Sequence, residues 1–311
     1  MKQIKRIGIA GAGVMGIAIG QCFAQRGMDV TLYDVAEKAL GNVREGMRQN
    51  QKVLIRQDVL TEQEAVNALK RVRLTKDLND FRDVDLVIEA IIENMTIKQD
   101  FFCQLEKVCR RDTIFATNTS GLCINDIGAK MNTRDRYLGA NWWTPAYIVP
   151  LVEMVRVKET TEETVTALYE LLESIGKKPV VLNREANGFI GNRIQFAALR
   201  EALNIVKSGY AGMAEVDRVL QYGLGLRYAV MGPFRTADFG GLDTYYHISE
   251  NLFSDLCNDD EPHDILKDRF LAGKYGAKTG EGFYEYAPGE VLQRQEDRDA
   301  KLLEILKITC S

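Results

Sequence analysis

Near its start the chain reads Gly11-Ala12-Gly13-Val14-Met15-Gly16, glycines at the spacing G-x-G-x-x-G. Between a strand and a helix, that spacing holds a pyrophosphate. The first glycine permits a tight turn, the second lets the backbone approach the phosphates, and the third lets helix and strand pack closely. Val14 and Met15 open the helix, whose N-terminal amides are donors to phosphate oxygens. Asp34 closes the next apolar run, Val30-Thr31-Leu32-Tyr33. A carboxylate there accepts hydrogen bonds from ribose hydroxyls and repels a 2′-phosphate. No arginine comes within the next few residues and Lys38 stands alone, so NAD is expected rather than NADP.

Further along, polar residues collect at the ends of apolar runs. Glu89 and Glu93 come after Val87-Ile88, with Lys98 shortly beyond; Asn118 and Ser120 come after Phe115-Ala116-Thr117. Asn141 opens Asn141-Trp142-Trp143-Thr144-Pro145, Glu153 sits in Pro150-Leu151-Val152-Glu153, and Asn192 in Gly188-Phe189-Ile190-Gly191-Asn192. Asn118, Thr119 and Ser120 also have a simpler reading, in which they turn the chain and cap the next element. Glu153 has a structural reading too, as the carboxylate that satisfies the Asn141 amide. An amide has no usable pKa, so Asn141 cannot carry a proton. Trp142 and Trp143, the only tryptophans, either wall a substrate pocket or fill core. His247 lies in a helical stretch, where packing or surface roles are usual, and neither it nor His263 is expected to replace an acid–base group.

These residues need elements to position them. Strands are predicted over 4–10, 30–34, 84–90, 113–117, 137–141, 151–157 and 179–182. Helices are predicted over 15–25 and from about 36 to 71, with a break near Gln57-Asp58 and a restart at a Thr61/Glu64 capping box. Strands alternating with helices argue an α/β fold, a doubly wound, mostly parallel sheet covered on both faces. After residue 183 the apolar spacing becomes helical, and a second, all-helical C-terminal domain is expected, giving domains 1–183 and 184–311. Residues 288–311 read as an amphipathic helix with Leu302, Leu303, Ile305 and Leu306 on its apolar side.

The 311 residues, 46% hydrophobic and 27% charged, describe a soluble globular protein of two domains. A net charge of −4 gives no general attraction to nucleic acid or anionic lipid. Six scattered cysteines without a C-x-x-C fit reduced thiols in a cytoplasm, and with two histidines no metal site is expected. The start leads straight into the first strand, so no signal peptide is expected. No apolar run approaches the roughly 20 residues of a membrane helix. Arg44, Arg48, Lys52 and Arg56 form an i, i+4 basic ladder. It is either a solvated face or a seat for an anion.

In this order, these blocks resemble the 3-hydroxyacyl-CoA dehydrogenase family over nearly the whole chain. Gly225, Met231-Gly232-Pro233-Phe234, Asp238 to Asp243 and Lys278 to Tyr284 extend the likeness into the second domain. The resemblance implies an NAD-dependent oxidoreductase moving hydride between the nicotinamide and C3 of a 3-hydroxyacyl-CoA or related 3-hydroxy acid. It implies a homodimer paired through the helical domains, with the active site in the cleft between domains. It places Glu93, Lys98 and Asn118 beside the nicotinamide, and Ser120, Glu153 and Asn192 among the catalytic residues. A helical projection near the basic ladder would hold CoA.

The family has a histidine, oriented by the glutamate, where this chain has Asn141. Losing a positioned acid–base raises a barrier by about 3–5 kcal/mol. Three explanations stand at this point. Another relay could run through Glu153 and a water or through Ser120. The substrate could supply the proton. Or Asn141 could be a laboratory substitution that traps a complex, although Thr144 and Gly121 also depart from the family pattern. The alternative function is an NAD-binding member acting as a sensor or in lyase- or epimerase-like chemistry. Pro145-Ala146-Tyr147-Ile148-Val149-Pro150-Leu151 looks closer to relatives acting on free hydroxy acids than to fatty acyl enzymes.

Overall fold

A computed structural model describes residues 4–309. The chain forms two compact units, Met1–Gly191 and Asn192–Ser311. The first carries one eight-stranded sheet: β1 (Arg6–Ala10), β2 (Asp29–Tyr33), β3 (Val72–Thr75), β4 (Leu86–Glu89), β5 (Ile114–Thr117), β6 (Tyr137–Trp142), β7 (Leu151–Arg156) and β8 (Lys178–Leu182). Their order is β3-β2-β1-β4-β5-β6-β7-β8. Every pairing is parallel except β6 with β7. The doubly wound, mostly parallel sheet expected from the sequence is therefore present. The winding reverses at β1, flanked by β2 and β4, which leaves a crevice at the carboxyl ends of these strands where such sheets bind ligands.

Apolar residues on successive positions bury both faces. Ile7 and Ile9 join one core with Phe23, Val43 and Met47; Ala10, Val87, Phe115, Tyr137 and Val155 join another with Phe102 and Leu105. Helices α1 (Val14–Gln25), α2 (Glu37–Arg56), α3 (Glu62–Lys70) and α4 (Met95–Val108) connect the early strands. The break between α2 and α3 falls where expected: Asp58 takes a left-handed φ of 55°. Thr61 and Glu64 then form the reciprocal capping box. The edge strand β3 was not foreseen. It is only four residues long, and Val72-Arg73-Leu74-Thr75 continues an apolar spacing that also fits a helix end.

The helices of the second unit run from Gly191–Lys207 to Glu290–Thr309, with a single wide turn at Leu220–Gly225, and a loop between Leu271 and Glu290 carries the isolated β-bridges Gly276–Glu281 and Glu281–Glu285. Within the last helix Leu303 is buried, while Ile305 is largely exposed. Among the described residues no helix is long and apolar enough to cross a membrane.

Candidate active site

The glycine loop turns as its spacing requires. Gly11 has a φ of 105°, and a Cβ there would lie 2.3 Å from the Ala90 carbonyl oxygen. A Cβ on Gly16 would fall 1.8 Å from the Gly11 carbonyl oxygen, so only glycine lets α1 start this close to β1. Gly13 is different: a Cβ there meets nothing within 4 Å. It is exposed, with room beside its backbone for a bulky group to approach. No side chain caps α1 and no acid lies in its first turn, which suits its leading amides to an anion. Val14 is exposed beside them, and the Met15 sulfur accepts from the Thr144 hydroxyl at 3.1 Å.

Asp34 completes the loop. Its Oδ2 accepts from Ala12 N–H at 2.7 Å and its Oδ1 from Ala36 N–H at 2.8 Å. Each carboxylate oxygen retains a further lone pair for a hydroxyl donor. An open glycine, uncapped helix amides and an anchored carboxylate make a set that fits a dinucleotide with free ribose hydroxyls.

On the neighbouring strands a buried polar group forms around Lys98. Its ammonium lies 2.5 Å from Glu89 Oε1 and 3.1 Å from Glu93 Oε2, in a side chain that is 1% exposed. Thr117 donates to the other Glu89 oxygen at 2.6 Å. Thr119 donates to Glu93. Burial works against the Glu93 charge, but the Thr119 hydroxyl and Lys98 outweigh it and hold its carboxyl below the usual range. Lys98 thus fixes Glu93 at the rim. Asn118 turns its Oδ1 to the Trp142 backbone N–H at 2.9 Å, linking the end of β5 to β6. The sequence marked Glu89 as one of two acids at the end of its strand but gave neither it nor Thr117 a role, although both end parallel strands at the carboxyl edge.

The second polar group lies across the antiparallel pair. In the β6–β7 register Asn141 sits opposite Glu153, and both are buried. Asn141 Nδ2 donates to Glu153 Oε2 at 3.1 Å, and Ser120 Oγ donates to Asn141 Oδ1 at 3.1 Å. The Trp143 indole N–H also reaches Glu153 Oε2, at 3.1 Å. Ile190 N–H and Gly191 N–H both donate to Glu153 Oε1 at 2.9 Å. Glu153 therefore receives four N–H donors, and it orients Asn141 as the structural reading of the sequence supposed. The other three donors, from Trp143, Ile190 and Gly191, were not announced by anything local in the sequence. Asn192 comes directly after Gly191, at the start of the helix Gly191–Lys207.

The two tryptophans divide. Trp142 is core, edge-on to Phe23 and beneath the buried ammonium of Lys177, which lies 5.1 Å from the ring centroid. Trp143 stands half-buried at the site, its ring so close to Gly191 that a Cβ there would come within 2.2 Å. His247 is exposed and bonds Glu250; His263 caps the helix Asp264–Leu271. On the basic ladder, Arg44 donates to the Leu69 carbonyl and Arg48 lies 3.5 Å from Glu45. Among the described residues no cluster of His, Cys, Asp or Glu is arranged to hold a metal ion.

A doubly wound sheet carrying a dinucleotide-type glycine loop, followed by a helical unit, is the architecture of a two-domain nicotinamide-dinucleotide-binding protein. The model of the 3-hydroxyacyl-CoA dehydrogenase NAD-binding domain matches residues 6–186, and that of the family's C-terminal domain matches residues 188–286. The chain belongs to this family, and its cofactor is NAD.

It is 34% identical to the 5-formyl-3-hydroxy-2-methylpyridine 4-carboxylate 5-dehydrogenase of Mesorhizobium japonicum, over 98% of each chain. It is 37% identical to a probable 3-hydroxybutyryl-CoA dehydrogenase of Bacillus subtilis, over 91% of this chain and 98% of that one. A crystal structure of a 5-dehydrogenase of the pyridine type, described as an NAD-dependent dismutase, superposes with a TM-score of 0.92 at 33% identity, covering 99% of each chain. The (S)-3-hydroxybutyryl-CoA dehydrogenase of Ralstonia eutropha gives a TM-score of 0.75 at 31% identity, over 92% of this chain and all of that one.

Proposed function

We propose that this protein is an NAD-dependent dehydrogenase of a small, free 3-hydroxy acid or a close analogue, rather than of a CoA thioester. The observation that carries the reading is the chain of hydrogen bonds from Ser120 through Asn141 to Glu153, which presents fixed polar atoms to a substrate oxygen at the carboxyl edge of the sheet. Bound NAD supplies the hydride acceptor. The substrate loses a hydride from its hydroxyl-bearing carbon and a proton from its oxygen. Ser120 and Asn141 hold that oxygen, and Asn192 joins them in this reading. Asn141 cannot take the proton, so water does, and the carbonyl product remains. Glu93, steadied by Lys98 and Thr119, and Asn118 border the nicotinamide.

Two observations favour a free acid. Arg44 and Arg48 are already engaged within the first unit. The full-length likeness to a dehydrogenase named for a pyridine carboxylate extends beyond the stretch shared with the Bacillus and Ralstonia 3-hydroxybutyryl-CoA enzymes. The test is NAD reduction with 3-hydroxybutyrate, 3-hydroxybutyryl-CoA and the formylpyridine carboxylate. Faster turnover of the thioester than of either free acid would reject the free-acid choice.

Asn141 itself supports a second reading, an NAD-binding member with little net redox activity, acting as a sensor or in lyase- or epimerase-like chemistry. NADH binding without turnover of any of these substrates would favour it. In either reading we place the protein in the cytoplasm as a homodimer paired through its helical units.

A further inference from the structure

Lys177 carries a buried charge that the site described above does not use. The helix Glu162–Ser174 ends in a Schellman turn: Gly176 takes a φ of 84°, its N–H bonds the Glu173 carbonyl, and Lys177 N–H reaches back to the Leu172 carbonyl at 2.9 Å. That turn fixes Lys177 just before β8, in a residue only 6% exposed. Among the described residues no carboxylate pairs with its ammonium. It donates instead to the carbonyls of Ala146 and Val149, the latter at 3.0 Å, with the Trp142 ring beside it. Both carbonyls belong to loop 143–150, between β6 and β7. The loop coils on itself, where Ile148 N–H and Val149 N–H both donate to the Pro145 carbonyl at 2.9 Å. It also bonds α1, the helix that opens at the glycine loop. Thr144 Oγ1 donates to the Met15 sulfur at 3.1 Å, and Cys22 Sγ to the Ala146 carbonyl at 3.4 Å. Burial pushes the Cys22 thiol up, so it stays neutral and gives the ammonium no counter-charge.

A cation buried without a carboxylate costs folding free energy that an apolar side chain would not. We propose that Lys177 is a positioning residue of the cofactor site: its ammonium clamps loop 143–150 to α1 and keeps the leading turn of that helix ready for the pyrophosphate of NAD. With the ammonium in place the loop is ordered before the cofactor arrives. Without it the Val149 carbonyl loses a donor, the loop opens to water, and binding has to order it again. Lys177 acts through the loop, not by contact with the cofactor. The role holds whichever hydroxy acid the site takes.

Lys177→Met keeps an unbranched stem beside Trp142 and removes the donors. Calorimetry of the full chain should then show NADH bound about tenfold more weakly, the scale of ordering a short loop, with one site per chain retained. ADP-ribose, which carries the pyrophosphate but no nicotinamide, should lose affinity by the same factor. A merely structural loss would lower the number of sites and leave the affinity of the folded fraction unchanged. Thr144→Val removes the bond to Met15 at an exposed position. It should weaken NADH about threefold without moving the melting temperature. The double variant should bind as Lys177→Met does, because a loose loop has no steadying bond left to lose. If Lys177→Met does not fold, Lys177→Gln takes its place; it keeps one amide group for the carbonyls and should weaken NADH about threefold. Unchanged NADH affinity in a folded Lys177 variant, a loss that spares ADP-ribose, or fewer sites at the parent affinity would overturn the proposal. An inert Thr144→Val, or additive effects in the double variant, would do the same.

Discussion

Asn141 keeps the connections of an orienting pair and drops its proton. Its Nδ2 makes the bond to Glu153 that an imidazole N–H would make, and its Oδ1 accepts from Ser120 where an unprotonated ring nitrogen would. The proposed site therefore has the shape for acid–base catalysis without the group. Asn141→His should raise hydroxy acid oxidation at least tenfold, within the roughly 10²–10⁴ that a placed acid–base contributes. For oxidation the imidazole must be neutral to accept the proton, so the gained rate should rise with pH through about 6.5 or somewhat above, because the Glu153 charge favours the protonated ring. Adding Glu153→Gln should remove most of the gain. Steady-state rates between pH 5.5 and 8.5 check this, and a variant no faster on any 3-hydroxy or 3-oxo substrate would show a pocket rebuilt for other chemistry. Asn141, Glu153 and the bond between them were all expected from the sequence, but the β6–β7 register that brings them together was not. A slip of one residue would turn them to opposite faces.

At the scale of elements, the glycine loop separates binding from folding. Gly13→Ala places its methyl in open space. It should leave the melting temperature within about 2 °C while weakening NADH by tenfold or more, because the methyl occupies the approach to the phosphates. Gly16→Ala meets the Gly11 carbonyl and should cost several degrees as well as binding. Calorimetry and thermal melts on both variants distinguish the two roles, and equal NADH affinity in Gly13→Ala and the unmodified protein would remove Gly13 from the cofactor site.

The loop, the second strand and the α2–α3 break were legible because their signals are local: glycine spacing, a terminal aspartate, a capping box. β3 and the Trp143, Ile190 and Gly191 donors to Glu153 were not, because tertiary pairing alone defines them.

The basic ladder belongs to this scale as well. With Arg44 and Arg48 engaged internally, Arg48→Glu with Arg56→Glu should change the affinity for CoA less than twofold, and added salt should do as little. A clear loss of CoA binding under both treatments would restore the thioester reading.

Asp85 links elements differently. Burial alone would raise its carboxyl, but Arg110 and the N–H groups of Arg6 and Lys5, joined by the Arg6 guanidinium, hold it far below the usual carboxylate range. A folded-state pKa depressed in this way contributes stability that is complete above the unfolded value of about 3.9 and is lost as pH falls below it. Asp85→Asn should therefore lower stability at pH 7 by about 2 kcal/mol and flatten the acid limb of the stability profile. Urea melts at pH 7 and pH 3.5 measure both, and a variant with the same acid limb as the parent would dismiss the account.

At the scale of the whole molecule the two units differ in how much they bury. The first encloses two cores around its sheet. Among the described residues of the second, Leu203 and Leu303 are the only buried apolar side chains, while Phe234 is 87% and Phe239 83% exposed, with Phe253, Phe270 and Leu271 also largely open. A unit with so little buried apolar area does not offset the conformational entropy of ordering its helices. Exposed aromatic groups on this scale mark an interface. A second copy of the chain is the occupant proposed here, since a two-fold interface lets the same patch serve both partners. Sedimentation at micromolar concentration should then give a species of twice 35.0 kDa. Phe234→Asp with Phe239→Asp should shift it toward the monomer and lower the melting temperature, because the charges would be buried without partners. A parent protein that sediments as a stable monomer would refute the pairing and leave the apolar helices to some other cover.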